Sequence, residues 1–132
     1  MRYLISVLLL AVAALAQTPA PAPTAPAAPK MVKYYMGFLK KGPNWNSPPP
    51  AAELQELGKA HIGHLVSMHK AGKLVLAGPF GDNGDIRGIL IFKGTDSMDE
   101  MKALAEQDPM VKSGRMMVEI HPWYVEDGYL PK

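Results

Sequence analysis

The chain has 132 residues, no cysteine, 48% apolar residues and a formal charge of +2. That length suits one domain rather than two, and the missing thiols exclude a disulfide framework, thiol catalysis and a cysteine zinc site. Lys and Arg form neither a block nor a stripe, so nucleic acid is not an expected partner.

Residues 1–16, MRYLISVLLLAVAALA, read as a cleaved signal peptide. Arg2 precedes an apolar run that ends in Ala14-Leu15-Ala16, a small-x-small cleavage pattern. The run is shorter than the roughly 20 residues a spanning helix needs. Cleavage near Ala16 predicts an exported chain, periplasmic or secreted, with no membrane span in its mature form. Residues 17–30, QTPAPAPTAPAAPK, are an Ala/Pro-rich spacer. Proline fixes φ and removes a donor, so this stretch favours extended polyproline-II conformers. Residues 31–132 remain for the folded domain.

Met31–Leu39 reads as a strand with Val32, Tyr34, Met36 and Phe38 on one face and Lys33, Tyr35, Gly37 and Leu39 on the other. After a loop, KKGPNWNSPPP, the prolines suit the first turn of a helix that runs to about Ala71 and stops at Gly72. Lys73–Phe80 and Ile86–Lys93 are two strands around the turn GDNGD. Ser97 and Glu100 form a capping box that opens a second helix. Pro109 is expected to end that helix at Asp108, since a proline disfavours helical geometry in the residue before it. Arg115–Val125 is the last strand.

The order β-α-β-β-α-β predicts an α+β, ferredoxin-like fold: a four-stranded antiparallel sheet with both helices on one face. In the last strand Met116, Val118 and Ile120 can face the helices, opposite Met117, Glu119, His121 and Trp123. Ile89 and Ile91 alternate with Gly88, Leu90 and Phe92, so the third strand is apolar on both sides. One helical layer covers one face only. A second copy of the sheet is the simplest cover for the other, which predicts a homodimer; its rival is a face open to a partner or ligand.

Three of the four histidines lie on the first helix. Leu54, Leu57, His61, Leu65 and Met68 share its apolar stripe, with His64 at the edge. A ring in the middle of that stripe needs a partner. Three readings stay open: a core histidine satisfied by one hydrogen bond, a pocket histidine acting as general acid or base, and a metal ligand together with His64. Asp108 is the candidate partner of His61, placed to orient the imidazole as the third member of a triad does. Its bland alternative is a turn residue that stops a helix. His64, Pro79, Phe80 and Trp45 are candidate pocket-lining residues. The stretch AGPFGDNGDIRG lacks a phosphate-binding glycine pattern and reads as turn chemistry. No cofactor and no metal are expected.

The segments AHIGHLVSMHKAGKLVLAGPF and EQDPMVKSGRMMVEIHPW resemble the YCII-related (YciI-like) domain family, in the order A-H-L, G-(K/R)-L, A-G-P and D-P. The resemblance covers residues 31–126 and implies a ferredoxin-like domain forming a dimeric α+β barrel. It also implies that the family's His–Asp pair falls on His61 and Asp108. Where some members carry an acid near the end of the first helix, this chain has Lys70. Two functional readings follow. One is a cofactor-independent, lyase- or isomerase-like enzyme that uses His61 and Asp108 on a small cyclic or aromatic molecule. The other is a non-catalytic dimeric module of the cell envelope that binds a small ligand or a protein.

Overall fold

The structure, a computed structural model, describes residues 26–94 and 97–131. The signal peptide expected over residues 1–16 and most of the spacer expected over 17–30 lie outside them. Seven elements follow in order: β1 (Met31–Lys41), α1 (Ala51–Lys70), β2 (Leu74–Pro79), β3 (Ile86–Phe92), α2 (Met98–Glu106), α3 (Pro109–Lys112) and β4 (Met116–Glu126). The strands form one open antiparallel sheet in the order β2-β3-β1-β4. This is the ferredoxin-like plan, with one element added. Pro109 does not merely stop a helix: it occupies the first position of the short helix α3, where a missing N–H costs nothing.

The local chemistry explains the boundaries. Gly72 has φ 70°, the left-handed region that a side chain resists, and its N–H closes onto the His69 carbonyl at the end of α1. The Ser97 hydroxyl accepts the Glu100 N–H at 3.2 Å and starts α2.

The core lies between sheet and helices. Tyr35, Leu39, Leu74, Leu90 and Phe92 come from the sheet, Met68 from α1, and Met101 and Ala105 from α2. Met116, Val118 and Ile120 of β4 pack against this cluster, on the side their alternation predicts. Each large apolar side chain buried here contributes about 1.5–3 kcal/mol.

The second face of the sheet carries an apolar patch. Tyr34, Met36 and Phe38 are half-buried there; Tyr34 contacts Trp123 and Phe38 contacts the His121 ring. Ile91, paired with Met36 and Leu76 on that face, is 2% exposed. Among the described residues no helix is long and apolar enough to cross a membrane.

Candidate active site

The site begins with a helix stripe and a helix break. Along α1, Leu54, Leu57, His61, Leu65 and Met68 are the positions turned from solvent, joined by Gly58 and His64. This stripe sets His61 against the elements that follow β3. There, α2 ends at Glu106 and α3 begins at Pro109. The proline holds Asp108 at φ −57°, ψ 128°, out of helical geometry. Asp108 then caps α3: its Oδ1 accepts the Met110 N–H at 2.8 Å. Its Oδ2 lies 2.6 Å from His61 Nδ1.

The side chains of His61 and Asp108 are 13% and 2% exposed, so this charge-assisted contact is screened from water. A carboxylate that accepts from Nδ1–H fixes the ring tautomer and leaves the lone pair on Nε2. Nε2 has no hydrogen-bond partner among the described residues, and no buried side-chain nitrogen or oxygen among them lacks one. It therefore keeps an accessible face.

His61 borders a cavity of about 340 Å³ between α1 and the β2–β3 edge of the sheet. The walls are apolar, chiefly Leu39, Ile62, Leu65, Ala77, Pro79 and Leu90. Gly88 forms part of them because β2 passes close by: a Cβ there would lie 2.6 Å from the Gly78 carbonyl oxygen.

The other residues expected near the site divide. Pro79 lines this cavity; His64, Phe80 and Trp45 do not. His64 turns to α2, where its Nε2–H donates to the Leu104 carbonyl at 3.0 Å. His61 and His64 thus serve different partners, and no group of three candidate metal ligands forms among the described residues. Phe80 is 41% exposed, and its N–H donates to the Arg87 carbonyl. Trp45 sits among three cations, with Lys41, Arg87 and Arg115 at 5.8, 5.6 and 5.0 Å from its ring centre. Arg115 pins that loop by donating to the Asn44 and Trp45 carbonyls.

Arg87 is the charged residue of the cavity lining that sequence reasoning missed. Leu39 pairs with Gly88 and Lys40 with Ile86, so Arg87 is the extra residue of a β-bulge. A bulge re-aims its side chain away from strict alternation. The one available signal was a lone cation just after the turn GDNGD, ahead of an apolar strand.

An open four-stranded antiparallel sheet packed with helices defines a ferredoxin-like α+β protein, and a buried His–Asp contact stands beside its apolar cavity. The chain belongs to the YCII-related domain family, whose model matches residues 33–124. No curated protein matches the chain. Among solved structures it is similar to the 5-chloro-2-hydroxyhydroquinone dehydrochlorinase TftG of Burkholderia phenoliruptrix AC1100, in complex with 2,5-dihydroxybenzoquinone. The identity is 20% and the TM-score 0.48, over 68% of this chain and 92% of that one.

Proposed function

We propose that this protein is an enzyme in which His61 moves a proton on a small cyclic or aromatic molecule held in the cavity. The observation that carries the reading is the pairing of His61 Nδ1 with Asp108 Oδ2 at 2.6 Å, on a residue that lines an apolar cavity and whose Nε2 has no partner among the described residues. In such a step, Nε2 takes a proton from an acidic C–H or O–H of the substrate. The electrons of that bond pass into the ring or an adjacent carbonyl. The imidazolium that forms keeps its Nδ1–H on Asp108, which offsets the new charge. Return of the proton to another atom gives an isomerase; expulsion of a leaving group gives a lyase. The cavity volume lies at the lower end of the range of small-molecule sites.

The same reading includes a homodimer and export. The half-buried aromatic face around Tyr34, Phe38 and Trp123 supports packing of two sheets face to face. The run ahead of Ala16 supports removal of a leader. Light scattering and N-terminal sequencing of the protein recovered from its native host test these two points.

For the chemistry, the test is turnover across a panel of small cyclic ketones, lactones and substituted phenols. Replacing His61 by Ala is expected to lower any activity by about two to four orders of magnitude. Unchanged turnover in that variant overturns the proposed role. Ligand binding without turnover, retained after His61→Gln, points instead to a non-catalytic binding module.

A further inference from the structure

A second polar residue lines the cavity besides His61: Arg87, the extra residue of the β3 bulge, which carries a guanidinium. Its position is fixed before any ligand arrives. Nη1 donates to the carbonyls of Asp82 at 2.7 Å and Gly84 at 3.2 Å, and Cζ lies 5.6 Å from the Trp45 ring centre. Those partners hold the group without neutralising it. The nearest carboxylate, Asp82 Oδ1, stands 4.0 Å away on a side chain that is 75% exposed, and it already accepts the Gly84 N–H. Of the other cations around Trp45, Lys41 is paired with Asp85 at 3.7 Å, while Arg115 is held by the Asn44 and Trp45 carbonyls and adds positive charge. Nε and Nη2 of Arg87 have no partner among the described residues. Among the described residues no carboxylate lines the cavity.

A cation kept mostly from water, fixed by carbonyls and with donors to spare, is a receptor for a planar anion. We infer that Arg87 binds an anionic group, a carboxylate or an ionised phenol, on the small ring compound that occupies the cavity, and so selects acidic over neutral molecules. This rests on the reading of the cavity as a substrate site. It adds the substrate class, since the same molecule must offer an apolar body to Leu39, Leu65 and Leu90, a reacting atom to His61 and a negative charge to Arg87.

Benzoate and benzamide test it, because they share shape and differ in charge. Calorimetric titration of the purified full chain is expected to give a benzoate affinity about tenfold above that of benzamide. The preference should shrink as ionic strength rises. Arg87→Gln should bring benzoate down to the affinity of benzamide, leave benzamide within about twofold, and Arg87→Lys should restore part of the difference. Equal affinities in the unaltered protein, or a preference that survives Arg87→Gln, overturn the charge assignment and leave the cavity reading standing. Binding of neither probe overturns both. The salt dependence needs no variant, so the inference stays testable even if a substitution at the bulge prevents folding.

Discussion

His61 and Asp108 are 47 positions apart in the chain and meet at 2.6 Å, and the carboxylate that receives the ring also caps the helix after it. One oxygen holds α1 and the other starts α3. The position of the ring is therefore tied to the start of a helix rather than to a free-standing loop.

Asp108→Asn should separate the two duties. The amide oxygen can still accept the Met110 N–H, while the amide NH2 faces His61 Nδ1. That arrangement moves the ring proton to Nε2 and removes the lone pair that takes up the substrate proton. Turnover is expected to fall by about two to four orders of magnitude with little loss of stability. Asp108→Ala leaves the Met110 N–H and the ring without their acceptor, and should cost about 3 kcal/mol in urea denaturation.

His64→Ala should behave differently. Its hydrogen bond to the Leu104 carbonyl ties α1 to α2 outside the cavity. A loss of about 1 kcal/mol in stability is expected, with benzoate affinity unchanged. A large change in ligand affinity would show that the ring takes part in the site.

Two glycines give a paired prediction. At Gly88 a Cβ would meet backbone, with the Gly78 oxygen at 2.6 Å and the Pro79 Cα at 3.2 Å. Gly88→Ala should therefore push β2 from β3 and destabilise by about 1–3 kcal/mol. At Gly63, inside α1, a Cβ meets nothing within 4 Å. Gly63→Ala should stabilise by about 0.5–1 kcal/mol, because alanine loses less backbone freedom in a helix. Thermal melts of the two variants should move in opposite directions.

The open sheet face carries a pH-dependent contact. Hydrogen bonds from His121, first, and from Lys40 hold the Glu119 carboxyl below the ordinary glutamate range. With the folded value lowered, its contribution to stability is present above the ordinary glutamate value and is lost as pH falls through the lowered one. A carboxyl NMR titration should find a depressed midpoint for Glu119. His121→Ala should raise that midpoint part of the way, since Lys40 remains.

Much of the architecture was legible because turn and cap chemistry is local. Gly72, Ser97 and the strand alternation each act within a few residues, and the elements fall where those signals put them. The meeting of His61 with Asp108 was also suggested locally, by a ring on an apolar stripe and an acid before proline. What escaped was set by distant partners. His61 and His64 stand on the same side of α1, and only the elements opposite decide that one meets a carboxylate and the other a carbonyl. Arg87 escaped because the ladder with β1 slips by one residue beside it, and alternation cannot report a slip. The helix α3 escaped because proline before a turn and proline at a helix start look alike over four residues.

The ladder of β1 with β4 joins the opening of the domain to its close, from Met31 against Glu126 to Lys41 against Met116. Contacts of such long range close large loops before they return any energy, which slows folding. During synthesis β1 has to wait, unpaired on that side, until the final strand leaves the ribosome. Nascent chains stalled before β4 should therefore resist compaction and attract chaperones that bind exposed strands.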